Sequence, residues 1–371
     1  MKGEASANVA DGGRSDPPVP VAVRWRSGLP GRRLQPPIVA AAGRVLATTF
    51  GEEAIGSSAF ALDATDGRLI WQQPSTSQWP SWVCFASTDL LVVWSREAGT
   101  VARSLDDGRI RWARRELRAT GARHEGWAPM MTPDTAGEPL LCMVDLADGA
   151  TVWQRAMAPG TGVVAADPRR LYLASTTSRG RTRLDAIDRE RGETLWRVDW
   201  TERPFTPRST QRFQPGACEI FAAFAIDARV YVSLLDFRFA CLDAQSGSVV
   251  WDVTLPVAAP TSVVVVDGRL HFNTLSCVCA LDAATGEVVF WRDKALPAFF
   301  SPGCAFDGHW YTGLENRLDV CSLVDGSPGG GLEIPDALGP PIVFDGRLYV
   351  PSIVHEWVYC LSTTPPKRDN E

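Results

Sequence analysis

Apolar residues along this 371-residue chain fall in short words of four to six, bounded by Gly, Asp and Pro, and few amphipathic stretches are long enough for a helix. Within the words the alternation has period two, so strands are predicted throughout. One unit recurs: an apolar word, Asp, a few small residues, Gly, three more residues, then Trp. It ends at Trp71, Trp112, Trp153, Trp196 and Trp251, at spacings of 41, 41, 43 and 55, and again 39 residues later at Phe290, with Trp291 one place late. A degenerate copy puts Leu332 in the slot 42 residues further on. A period near 42 with strand-like alternation fits a four-stranded propeller blade and is too long for leucine-rich repeats.

Each blade can be drafted from these words. Strand A is a run such as Val263-Val264-Val265-Val266. A tight turn follows at Asp267-Gly268, Asp307-Gly308 or Asp345-Gly346, pairs that supply the positive φ of two-residue hairpins. Strand B is the next word, as in Arg347-Leu348-Tyr349-Val350. Strand C carries the Leu-Asp word, and a second glycine turn leads to strand D with the tryptophan. The last segment supplies strands A, B and C without a D, whereas Val21–Trp25 looks like a strand D without its blade. Joining the two closes the ring and removes open edges. The expected fold is therefore all-β, a single eight-bladed β-propeller of four-stranded antiparallel blades. Blades 3 and 7 carry the faintest signals, so seven stays open. The propeller is expected over 21–363, with 1–20 and 364–371 as flexible flanks. Trp25, Trp71, Trp112, Trp153, Trp196 and Trp251 are expected to dock structurally on the neighbouring blade's turn. Each would be worth on the order of 2–3 kcal/mol by burial, with the indole N–H on a backbone carbonyl.

Ala61-Leu62-Asp63-Ala64-Thr65-Asp66-Gly67 through Trp71, and Ala280-Leu281-Asp282 through Gly286, resemble the tryptophan-docking repeat of pyrroloquinoline-quinone-type propellers. That family includes quinoprotein dehydrogenases and the propeller lipoprotein of bacterial outer-membrane assembly. The resemblance spans roughly 21–362 and implies the fold and a tendency to act as a binding platform. It does not imply quinone binding, since the motif belongs to the blade. The vicinal cysteine pair of the dehydrogenases is missing, and their calcium-binding residues cannot be assigned in this sequence. No cofactor and no metal are expected.

Composition narrows the classes. A net charge of −6 argues against a nucleic-acid partner. The first 20 residues are polar, without the apolar core of a secretory signal, and no stretch reaches membrane-spanning length, so a cytoplasmic protein without membrane contact is expected. Nine scattered cysteines read as reduced core thiols. Cys277 and Cys279 would share one strand face but have no second ligand pair nearby.

In this strand order the B–C and D–A loops share one face, where a rigid scaffold would display function. Three connections there stand out. The first runs from Arg114 through Arg118, Arg123, His124 and Glu125 to Trp127, and is read as one D–A loop. The second holds Arg203, Phe205, Arg208 and Arg212. The third holds His355, Glu356 and Trp357. Arginines among aromatics would suit a protein or peptide partner, or a small acidic ligand, held by bidentate guanidinium contacts. Solvated loop charge is the plainer explanation. His124 and His355, with Glu125, Glu356 or Glu315, are the candidate acid–base or metal residues. The first expectation for function is a non-catalytic platform holding a partner on the loop-rich face. The alternative is an enzyme of a specialised pathway (a lyase, cyclase or hydrolase) with its site in the axial funnel, and a quinone-dependent dehydrogenase comes third.

Overall fold

The computed structural model describes residues 21–29, 33–50, 57–74, 81–122, 126–132, 138–176, 181–201, 219–255, 260, 262–274, 277–293 and 302–363. They form eight antiparallel sheets arranged as an eight-bladed propeller. Seven blades follow one another at 33–74, 81–114, 118–156, 161–200, 220–254, 263–293 and 304–337. The eighth combines Ile342–Phe344, Arg347–Pro351 and Trp357–Ser362 with the N-terminal strand Ala22–Gly28. That strand pairs antiparallel with Trp357–Ser362, from Ala22 opposite Ser362 to Gly28 opposite Trp357. In blade 7 the run His309–Ser322 serves as both B and C: its first half pairs with Cys304–Phe306 and its second with Pro328–Ala337. Between the halves Asn316 has φ of +60°. No described residue is helical, so no helix among them is long and apolar enough to cross a membrane.

The repeat is legible as hydrogen bonding. The Asp of the Leu-Asp word caps the C–D turn: Asp63 Oδ1 accepts from the Thr65 amide, and Asp282 Oδ1 from Ala284 and Thr285. These amide bonds hold both carboxyls below their ordinary pKa. Blade 2 uses Ser104 and blade 7 Ser322 for the same task. Strand D then bulges one residue before the aromatic slot. Ala61 faces Trp71 while Leu62 faces Leu69, so Ile70 has no partner, and the shift recurs before Trp112, Trp153, Trp196, Trp251 and Phe290. Such a bulge re-aims the next side chain, here toward the neighbouring blade.

Eight apolar clusters hold the ring, one at each seam between blades. Leu34, Val45 and Phe60 of blade 1 meet Tyr349, Val358 and Cys360 of blade 8. Blades 1 and 2 meet around Leu46, Trp71 and Leu91, and blades 7 and 8 around Tyr311, Leu318 and Val350. The core is thus distributed between sheets, as expected when two apolar faces can be buried only against neighbours.

Candidate functional site

The docking aromatics behave as a set with one exception. Trp71 Nε1 donates to Leu105 O at 2.7 Å, Trp112 to Leu146 O at 2.7 Å and Trp153 to Arg189 O at 2.8 Å. Trp196 and Trp251 donate to Ala244 O and Ala283 O, each at 3.0 Å. Each ring also lies over the turn glycine of the next blade, from Gly108 under Trp71 to Gly286 under Trp251. Trp25 covers Gly67 in the same way, yet its Nε1 has no partner among the described residues. The equivalent carbonyl, Ala64 O, is occupied by the Tyr349 hydroxyl and by Arg347 Nη1, both at 2.8 Å. Leu332 precedes the closing blade, which has no C–D turn because its D strand comes from the other end of the chain. An aromatic there would have no turn to cover.

The strand order puts the B–C and D–A ends of the blades on one side of the ring. There, the sequence candidates separate. Arg123, His124, Glu125, Arg203, Phe205, Arg208 and Arg212 lie outside the described residues. Trp127 must be corrected. Arg118–Ala119 already forms strand A of blade 3, so the chain has crossed to the opposite face before Trp127 opens strand B. Its ring there lies 5.7 Å from the guanidinium of Arg189, in a C–D turn.

Arg118 stays on the loop-rich face. Its guanidinium carbon is 4.9 Å from the ring centroid of Trp94, which stacks on Trp82 at 5.3 Å and 26°. Trp82 and Trp94 are direct cross-strand partners at the loop end of the A–B hairpin of blade 2, which puts both rings on one face of the sheet. Nothing among the described residues accepts a hydrogen bond from the Arg118 guanidinium. Arg118 is held by its neighbours. The buried Thr100 hydroxyl donates to Leu117 O and accepts from the Ala119 amide, both at 2.9 Å, pinning this two-residue strand to blade 2. Beside it a cavity of about 350 Å³ opens between blades 3 and 4, lined by Arg118, Thr120, Met131, Thr132, Gly160 and Gly162 among others. Below the stack, burial pushes the Cys84 thiol up to about 12, with Arg118 pulling the other way, so it is an un-ionised thiol at neutral pH.

A second cluster sits at the seam of blades 7, 8 and the closing strand. His355 Nδ1 lies 2.9 Å from Asp336 Oδ1, and Tyr359 donates to Asp336 Oδ2 at 3.4 Å. Asp336 is buried, whereas the imidazole is 58% exposed. The loop is clamped by the Ser352 hydroxyl on the His355 amide and by Leu29 N donating to Glu356 O. Trp357 packs on Gly28 and carries Arg26 over its ring at 4.6 Å. No hydrogen bond or ion pair among the described residues joins Glu315 or Glu356 to His355. Its carboxylate is Asp336, on a strand end of a different blade, which sequence spacing does not reveal. Trp82 and Trp94 were findable: both are six residues from the centre of the Ser87-Thr88-Asp89 turn, which makes them a facing pair.

No group of three or more metal-ligating side chains occurs among the described residues. Cys277 and Cys279 are both buried, and burial raises the Cys279 thiol, which disfavours the thiolate a metal needs.

Blade order, closure and docked aromatics together define an eight-bladed propeller of the tryptophan-docked class. A family model described as outer membrane protein assembly factor BamB matches residues 22–167 and 180–302, most of the chain, and the protein belongs to that family. A comparison with curated proteins finds no match. Among solved structures, BamB from Moraxella catarrhalis superposes with a TM-score of 0.68 at 16% identity, covering 95% of this chain and 99% of that one. Quinohemoprotein alcohol dehydrogenase from Comamonas testosteroni superposes at 0.65 and 11% identity, covering 95% and 78%. A europium-containing methanol dehydrogenase gives 0.68 at 9%, covering 92% and 93%. At these identities the likeness is one of fold.

Proposed function

We propose that the chain is a non-catalytic binding platform that holds a protein or peptide partner through a carboxylate on its loop-rich face. The observation that carries this is Arg118, stacked on Trp94 and Trp82 at the mouth of the cavity between blades 3 and 4, with no acceptor of its own among the described residues. Stacking fixes the plane of the guanidinium and leaves its N–H edges for a bidentate carboxylate. Aromatic and arginine side chains are also the ones that dominate interfaces. The family description, an assembly factor for outer membrane proteins, is consistent with work on other protein chains.

An enzyme is the second reading, favoured by the buried Asp336 that orients an exposed His355 imidazole. The two are separated by titrating labelled peptides rich in Asp and Glu, and their Asn and Gln counterparts, against the wild type, Arg118→Ala and His355→Ala. The acidic set should bind, the amide set at least tenfold more weakly, and Arg118→Ala should erase the difference while His355→Ala leaves it. Equal binding of both sets, or full binding by Arg118→Ala, would overturn the proposal.

A further inference from the structure

The cavity of about 350 Å³ between blades 3 and 4 carries one charged side chain among its described lining residues, Arg118. Arg118 faces Met131 across strands A and B of blade 3, and Met131 packs with Val163 of blade 4 in the seam between the two blades. The Arg118 side chain therefore leaves its strand on the cavity side before its tip turns onto Trp94. The other polar groups of the wall are largely committed. Thr120 Oγ1 donates to Pro129 O at 2.9 Å, and Thr132 Oγ1 accepts from the Leu140 amide at 2.8 Å. The Met157 amide donates to Pro139 O at 2.8 Å, and the Thr161 amide to Ala158 O at 3.2 Å. On the side chains, what remains polar is the Thr161 hydroxyl and the Thr132 hydroxyl proton.

The rest of the wall is apolar: Met131, Pro139, Val163 and the threonine methyls. A cavity of this size lies at the small end of ligand sites and is many times larger than a water, so it admits a Leu, Met or Phe side chain. It does not suit a second charge. Once one carboxylate occupies Arg118, a further Asp or Glu in the cavity would find no cation among the described residues, and a Lys would face the guanidinium. We infer that this cavity is a specificity pocket for an apolar side chain lying within two positions of the acidic residue that Arg118 holds. The inference rests on the reading of Arg118 given above and narrows the partner to a segment that pairs one acidic residue with one apolar residue, rather than a run of acids.

The test titrates the full chain with labelled peptides blocked at both ends, each carrying one Glu flanked within two positions by Leu, Phe, Ser or Lys. The Leu or Phe peptides should bind roughly tenfold more tightly than the Ser peptides, as burial of one apolar side chain predicts, and the Lys peptides more weakly still. Thr161→Phe puts a ring on the strand face shared with Val163, in the seam with blade 3, and should bring the Leu and Phe peptides down to the level of Ser. Arg118→Ala should weaken the whole panel. Should Thr161→Phe not fold, the ranking on the wild type decides. Peptides that need Arg118 but bind equally with Leu, Phe and Ser overturn this inference and leave the platform reading in place. A panel that does not bind, or that Arg118→Ala does not weaken, overturns both.

Discussion

At the scale of single residues, the docking tryptophans separate hydrogen bonding from burial. Trp112 and Trp25 occupy equivalent slots over Gly149 and Gly67, but only Trp112 has a carbonyl to bond. Trp112→Phe should therefore cost about 1 kcal/mol more than Trp25→Phe in denaturant unfolding. Equal costs would mean that the indole bond contributes nothing. The glycines under the rings make a matching pair. Gly149 has φ of +76°, and a Cβ on it would come 2.8 Å from the Trp112 ring. Gly268, at φ of +73°, would meet nothing within 4 Å. Gly268→Ala should cost only its backbone strain, about 1 kcal/mol, and Gly149→Ala clearly more, because the ring must move as well. His271 provides a pH readout. It stands beside Phe290 where Tyr349 stands beside Trp25, and burial drives its pKa down to about 4, aided by Arg269. The folded state then binds this proton less readily than the unfolded chain, whose histidine titrates near 6.5. Its stabilising contribution is complete above about pH 6.5 and is lost as the pH falls toward 4, roughly 3 kcal/mol in all. His271→Tyr should flatten that part of the stability profile, measured as midpoints from pH 7 to 4.

At the scale of elements, the blade was legible because each of its parts answers a local demand that leaves a mark in sequence. The Asp-Gly pairs at 267, 307 and 345 adopt positive φ at both residues, and the Leu-Asp words cap their turns. Blade 3 shows where this legibility ends. Its strand A is only Arg118–Ala119, too short for any periodicity, and Thr100 of the preceding blade holds it in place. Without that contact in view, the stretch from 114 to 127 reads as one loop, and Trp127 goes to the wrong face. Asp336 escaped for the same reason, since its pairing with His355 depends on how two blades meet. The Thr100 contact is testable. Thr100→Val keeps the volume but leaves the Leu117 carbonyl and the Ala119 amide without their partner, which should cost about 2–3 kcal/mol. It should also speed amide exchange at Ala119 and weaken acidic-peptide binding although Arg118 is untouched. Unchanged exchange at Ala119 would mean that the short strand is held by other contacts.

At the scale of the whole molecule, stability depends on closing a ring whose core lies only at seams. No blade buries both of its faces alone, so opening one seam exposes two apolar sheet faces. The chain's two ends meet inside blade 8, where Ala22–Gly28 pairs with Trp357–Ser362, and the seam between blades 8 and 1 lies beside that joint. There Trp25 lacks its hydrogen bond, while Arg347 and Tyr349 of blade 8 reach across to Ala64 O of blade 1. The closing strand contributes its pairing with Trp357–Ser362, the Trp25 ring over Gly67 and the Leu29 contacts in the seam cluster. Removing residues 1–27 should cost on the order of 5 kcal/mol from lost ladder bonds and burial, whereas removing 1–18 should cost little. Thermal midpoints of the two truncations decide this. If they coincide, the N-terminal strand does not close the ring in solution. If the longer truncation melts early and becomes concentration-dependent, the exposed edge of Trp357–Ser362 is pairing between copies, the consequence expected of a propeller that has lost its clasp.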